Sequence, residues 1–198
     1  MAQEKYHAAN PVVGFLVRRF FERIAGVLAH VGPRSVLDAG CGEGELLRRG
    51  ILGAAFSVVP LDRSREALAE LRTYAAGCPL VCGSLLQLPF GPGTFDAALC
   101  LEVLEHLDNP AVAVRELLRV TRRAVVLSVP YEPYFQMGNL LRGKYLNHAG
   151  NHPEHVQHWN MRRFRGFIEP LVGETPWRIQ IIEAFPWIIA CCRHQPKP

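Results

Sequence analysis

Val36-Leu37-Asp38-Ala39-Gly40-Cys41-Gly42-Glu43-Gly44 continues an apolar strand that starts at Ser35 into a turn with glycine at every second position. Glu45, Leu46, Leu47, Arg48 and Arg49 follow and are good helix formers. A strand, a glycine turn and a helix in that order let backbone approach a ligand closely, because glycine has no Cβ and tolerates positive φ. The helix start adds N–H groups that have no partner within the helix. The spacing, D-x-G-x-G-x-G, is neither the G-x-G-x-x-G of dinucleotide enzymes nor the G-x-x-x-x-G-K-[ST] of phosphate loops. No Lys-Ser/Thr follows, which argues against a triphosphate cradle. An acid in front of the first glycine suits a ligand that carries a cationic group.

Outward from this turn, apolar strand patterns alternate with helical ones. Val13, Leu16, Val17, Phe20, Phe21, Ile24 and Leu28 recur at three- and four-residue spacing and predict an amphipathic helix over 12–31. Strands are expected at 35–39, 55–61, 79–82, 95–100 and 123–129, with helices at 44–52, 64–75, 109–120 and 161–169. Asn109-Pro110 supplies a cap and a first-turn proline, and Asn160 caps the last helix. Two apolar runs, 177–184 and 187–193, meet around Phe185-Pro186, and so tight a connection implies an antiparallel pair at one edge. The pattern predicts an α/β fold: a Rossmann-like, seven-stranded, mostly parallel sheet with an antiparallel last strand and helices on both faces.

The 198 residues suit a single domain with a proper core. A charged fraction of 20% and a net charge of +4 are ordinary for a soluble protein. Lys and Arg are spread along the chain, so nucleic acid is permitted but not indicated. No apolar stretch reaches the ~20 residues of a membrane span, and the polar start (Gln3, Glu4, Lys5, His7) does not resemble a signal peptide. The six cysteines form no C-x-x-C pair and several sit in apolar strands, so reduced thiols in a cytoplasmic protein are expected. A monomer or a homodimer fits this composition.

In open parallel sheets the ligand lies beyond the carboxyl ends of the strands. Asp62 stands at the end of the second strand, twenty residues after Gly42, where an acid can accept both hydroxyls of a ribose. It could instead cap the helix that follows. After the third strand comes Gly83-Ser84-Leu85-Leu86-Gln87-Leu88-Pro89-Phe90, and the fourth strand ends as Leu101-Glu102-Val103-Leu104-Glu105-His106. Together with the opening run, these segments resemble class I S-adenosylmethionine-dependent methyltransferases, in particular the small-molecule and quinone-biosynthesis type. The resemblance implies that Asp38, Gly40, Cys41, Gly42 and Gly44 hold the amino-acid part of S-adenosylmethionine. It points to Asp62 at the ribose and to Ser84 and Leu85 at the adenine edge, with Arg63 and Leu101 as further cofactor-binding residues. Ser84 stands where the family usually has an aspartate, which weakens the adenine contact.

The acceptor half falls on 130–160, about thirty residues between the fifth strand and the next helix. A connection that long is usually a lid or binding loop. Tyr131, Tyr134, Phe135, Tyr145 and Trp159 give it an aromatic lining, and it carries four of the eight histidines. The expected catalytic residues are Glu102, His106, His155 and His158, with His152 a further candidate base. Glu102, Glu105, His106 and His155 could alternatively hold a divalent metal, a pattern that resembles metal-assisted RNA 3′-end methyltransferases and some quinone-biosynthesis O-methyltransferases. In methyltransferases without a metal, the same E-x-x-E-H run braces the helix after strand four.

The expected activity is methyl transfer to a small-molecule acceptor, preferably to oxygen. The alternatives are a metal-assisted enzyme acting on an RNA 3′ end or a protein, and a cofactor-binding subunit without catalysis. The helix within 1–32 is expected to cover the cofactor cleft. Its Arg18, Arg19 and Arg23 leave room for peripheral contact with an anionic membrane.

Overall fold

The computed structural model describes residues 11–75, 77–132, 134, 156–173 and 175–195. Helix α1 (Pro11–Val31) leads into β1 (Ser35–Ala39), a single helical turn α2 (Glu45–Arg48), β2 (Ser57–Asp62), α3 (Arg65–Arg72) and the two-residue β3 (Val81–Cys82). There follow β4 (Phe95–Leu101), a 3-10 turn (Leu104–His106), α4 (Pro110–Val120), β5 (Thr121–Pro130), α5 (Met161–Val172), β6 (Trp177–Ala184) and β7 (Trp187–His194). The seven strands form one sheet in the order β3-β2-β1-β4-β5-β7-β6. The first five are mutually parallel, and β7 runs antiparallel to both neighbours, β5 and β6. The order reverses between β1 and β4, which places the switch point of the sheet at the glycine turn.

The sheet is covered on both faces, as its nearly continuous apolar strands require. Leu37, Ala98, Val125, Leu127 and Ala190 meet α4 and α5 on one side. Val36, Leu99, Val126, Ile189 and Cys191 meet α1 on the other. Phe20, Ile24 and Leu28 are fully buried there, and each contributes about 2 kcal/mol by leaving water. Phe20 and Phe21 of this helix pack on the sheet face, while Phe15 remains half exposed.

Several boundaries differ from the sequence expectation. The helix expected over 44–52 closes after one turn, because Gly50 takes a left-handed φ of 68° just beyond the C-cap Arg49. Strand 79–82 shrinks to two residues at the sheet edge, with β2 as its sole strand neighbour. Helix 161–169 continues to Val172, with Phe164, Ile168 and Val172 buried along one stripe. Most of the histidine-rich lid, residue 133 and residues 135–155, lies outside the described residues, as do its His152 and His155.

At the pole away from the glycine turn, Asp96 ties β4 to the start of β1. Its carboxylate accepts from Arg34 N and Ser35 N at 2.8 and 3.1 Å and from Arg122 Nε at 2.8 Å. Burial alone would raise its pKa, but the Arg122 hydrogen bond and the two amides outweigh it and bring it to about 2. The folded value is depressed, so the stabilisation is present above about pH 4 and is lost as pH falls toward 2. Asp96→Ala is expected to lose about 3 kcal/mol near neutrality, because buried donors lose their acceptor. Urea melts should show the gap to wild type narrowing below pH 4; a gap independent of pH would contradict the assignment.

Candidate active site

The glycine turn is held to β2 by its own backbone. Gly40 N and Cys41 N both donate to Leu61 O, at 2.7 and 3.0 Å. Gly40, Gly42 and Gly44 have φ of 78°, 52° and 75°, values that glycine adopts without strain. Their surroundings differ. A Cβ on Gly40 would stand 2.6 Å from Val103 Cγ2, and one on Gly44 would collide with Leu71 Cδ1 and Tyr74 Oη. A Cβ on Gly42 would meet nothing within 4 Å. Gly40 and Gly44 therefore serve close packing, whereas Gly42 faces open space where a ligand can lie against backbone.

Two acids flank that space. Asp38 is 4% exposed, and its carboxylate accepts no hydrogen bond from the described residues. Burial, and then the nearby charge of Asp62, push its pKa up to about 7. A buried carboxyl without a partner is costly when ionised, and a cationic ligand group would relieve that cost. Asp62 is held differently: Gly42 N donates to Oδ2 and Ser64 N to Oδ1, both at 2.8 Å. Each oxygen keeps a further lone-pair site, enough for two vicinal hydroxyls. The cap of α3 is Ser64, whose Oγ accepts from Ala67 N, so Asp62 is released from that role. Together the two acids and the open turn fit a ligand with a cationic end and a ribose.

The remaining cofactor candidates are placed as follows. Cys41 is buried, and burial with the charges of Asp38 and Asp62 holds its thiol neutral. Arg63 is exposed, Leu101 is half-buried and Leu85 is buried. Ser84 Oγ accepts from Leu86 N at 3.1 Å, so part of the capacity expected for adenine supports its own turn.

Glu102 leaves β4 with φ 58°, the left-handed conformation that bulky residues rarely adopt. Its side chain fixes the distortion: Ser128 Oγ donates to Oε1 at 2.9 Å and Trp187 Nε1 to Oε2 at 2.8 Å. Trp187 in turn packs on Phe20 of α1, ring centroids 4.8 Å apart. The turn shaped by Glu102 brings Val103 against Gly40. Glu105 is fully buried, and its Oε1 lies 4.0 Å from Nε2 of the partly exposed His106. Beneath them, burial and the charges of Glu105 and Asp38 keep Cys100 a neutral thiol.

Val156 to Trp159 is stitched across the ends of β4 and β5. Val156 N and Gln157 N donate to Glu105 O at 2.9 and 3.0 Å, and Gln157 Nε2 to Leu107 O at 3.3 Å. Glu132 N, just beyond β5, donates to Trp159 O at 3.0 Å. This closure sets His158 Nδ1 3.7 Å from Oε1 of Glu132, a carboxylate that is 4% exposed. Of the expected catalytic residues, Glu102, His106 and His158 thus gather at the carboxyl ends of β4 and β5. Sequence reasoning gave no role to Glu132, Ser128 or Trp187. The first was accessible by the strand-end rule applied to β5; the other two needed the antiparallel pairing. Among the described residues, no three His, Cys, Asp or Glu side chains form a group that could hold a metal ion.

Residues 37–129 match the family model described as a methyltransferase domain. An uncharacterized methyltransferase of Schizosaccharomyces pombe is 34% identical over 99 residues, which span 44% of this chain and 36% of the relative. A ubiquinone biosynthesis O-methyltransferase of Chromobacterium violaceum is 35% identical over 91 residues, 44% of this chain and 39% of the relative. The chain thus spans under two fifths of the length of these two relatives. Among solved structures, the methyltransferase domain of a bacterial Hen1 superposes with a TM-score of 0.72 at 22% identity, over 91% of this chain and 99% of that one. Magnesium protoporphyrin IX methyltransferase from Synechocystis, with SAH bound, superposes at 0.66 with 18% identity, over 97% and 90%.

Proposed function

Because the chain carries a class I S-adenosylmethionine-dependent methyltransferase domain, we propose that it moves a methyl group to a hydroxyl of a small-molecule acceptor. The observation that carries this is the pair of sites side by side at one sheet edge: the Asp38–Gly42–Asp62 cradle, and the His158–Glu132 and His106–Glu105 pairs beyond β4 and β5. S-Adenosylmethionine supplies a methyl already activated on a sulfonium. Asp38 would face its ammonium, Gly42 would let the backbone come close, and Asp62 would accept from the ribose. What remains for the protein is alignment and exclusion of water. Methylation of a hydroxyl leaves one proton to be removed, and a base of the chain would take it up. His158 is assigned that role, with Glu132 behind it to stabilise the imidazolium, and His106 borders the same space.

A second reading, with Glu102, Glu105, His106 and His155 around a divalent ion, draws support from Val156, the neighbour of His155, being anchored on Glu105 O. Against it, no three His, Cys, Asp or Glu side chains among the described residues form a group that could hold an ion, and no step is routed through one.

The test is methyl-labelled S-adenosylmethionine offered with a panel of phenols and catechols. Label is expected in a methyl ether and is expected to survive EDTA. His158→Ala should lower the rate by about two to three orders of magnitude. Activity abolished by EDTA and restored by a divalent ion would favour the second reading. Label that enters only RNA ends or protein would overturn the small-molecule assignment.

A further inference from the structure

At the pole opposite the glycine turn lies a groove of about 410 Å³ lined by His30, Val31, Arg122, Arg123, Arg193 and His194. The topology assembles it. β5 runs parallel to β1 and begins here with Arg122 and Arg123, while the reversed β7 ends here with Arg193 and His194. The C-terminal end of α1 closes the third side. No acidic side chain lines it among the described residues; Asp96 sits behind, engaged with Arg122 Nε.

The three guanidinium groups are held in different ways. Arg123 donates to Val31 O and Gly32 O at the end of α1, which fixes its position. Arg122 spends Nε on Asp96 and makes no other hydrogen bond to the described residues. Arg193 Nε is buried with no hydrogen-bond partner. Its side chain does engage the weak acceptor Cys191, whose thiol is raised by burial and brought partly back by the Arg193 hydrogen bond and charge. Arg193 also stands directly opposite Arg178 across the β6–β7 ladder, and like charges in that position destabilise a sheet. The repulsive cross-strand pair and the guanidinium charge that lines the groove without an acidic side chain among the described residues are costs that a bound anion offsets.

We propose that this groove is a second ligand site, separate from the cofactor cradle, that takes a soluble phosphate-bearing anion. Its volume falls within the range of small-molecule pockets, roughly 300–1,000 Å³. None of the large exposed apolar side chains among the described residues lines it, so an anionic lipid surface would find nothing there to insert.

The experiment is calorimetric titration of the chain with inorganic pyrophosphate at low salt, alongside flotation with phosphatidylglycerol vesicles. Saturable pyrophosphate binding is expected, at least about tenfold weaker in Arg193→Gln, a loss of about 1.4 kcal/mol. Arg193→Lys, which keeps the charge but not the fork, should fall between the two. In the wild-type chain, the imidazole resonances of His30 and His194 should move on titration while those of His106 and His158 stay. That readout decides the matter if Arg193→Gln does not fold. Equal affinity in wild type and Arg193→Gln, absence of binding, still His30 and His194 resonances, or binding to vesicles alone would each overturn the proposal.

Discussion

Asp38→Asn is expected to stabilise the free chain and to weaken its cofactor complex. In the wild type the carboxyl titrates near 7, well above its ordinary 3.8. A raised carboxyl favours the folded state only while protonated, so this contribution is intact below about pH 4 and is lost as pH rises through 7. Above neutrality the ionised, buried group costs up to about 4 kcal/mol. A buried amide without partners returns part of that, leaving a net gain of about 2 kcal/mol for the variant, which should reverse to a deficit of about 2 kcal/mol near pH 4, where the wild-type carboxyl is protonated. Chemical denaturation at the two pH values measures it, and a variant no more stable than wild type above pH 7 would contradict the burial argument. For S-adenosylhomocysteine the sign reverses. Loss of a buried charge-assisted contact costs about 3 kcal/mol, roughly a hundredfold in Kd. Wild-type affinity should fall about tenfold per pH unit below 7, because the ligand's ammonium requires the carboxylate. Above about pH 8 it should fall again as an α-amino group deprotonates.

The three turn glycines should separate stability from binding. Gly42→Ala places a methyl in open space at a φ of 52°. The folded state should lose only about 1–2 kcal/mol of left-handed strain, while the filled cradle should lower cofactor affinity by at least about a hundredfold. Gly44→Ala puts the same methyl into Leu71, which is fully buried and has no room to retreat. It should lose about 3 kcal/mol or more of stability from overpacking and strain together. Gly40→Ala, against the branched Val103, should resemble Gly44→Ala. Thermal melts and cofactor titrations on the three variants test this pattern; equal loss of stability in all three would contradict the division of roles.

The geometry of the proposed cofactor cradle was legible in the sequence because its determinants are local or fall at strand ends. Asp38 and the glycines lie within seven consecutive residues, and Asp62 is recognisable by its place at the end of β2. The acceptor half was legible only as a list of residue types. Glu102 reads as a catalytic or metal-binding acid, and its oxygens accept from Ser128 and Trp187, 26 and 85 residues away. No local spacing encodes those distances. Glu132 and His158 meet only because Val156, Gln157 and Trp159 close back on Glu105 and Glu132. The helical pattern after Gly44 overstated α2 for the opposite reason, since good helix formers there precede Gly50, whose left-handed backbone ends the element.

Asp38, Gly42 and Asp62 are proposed to form an S-adenosylmethionine cradle. Isothermal titration of the wild-type chain with S-adenosylhomocysteine near pH 7.5, where the carboxylate and the ligand's ammonium coexist, tests it most directly. Saturable binding of one ligand per chain is expected, undiminished by millimolar NAD and weakened in Gly42→Ala. No heat up to millimolar ligand, or full binding by Gly42→Ala, would contradict it.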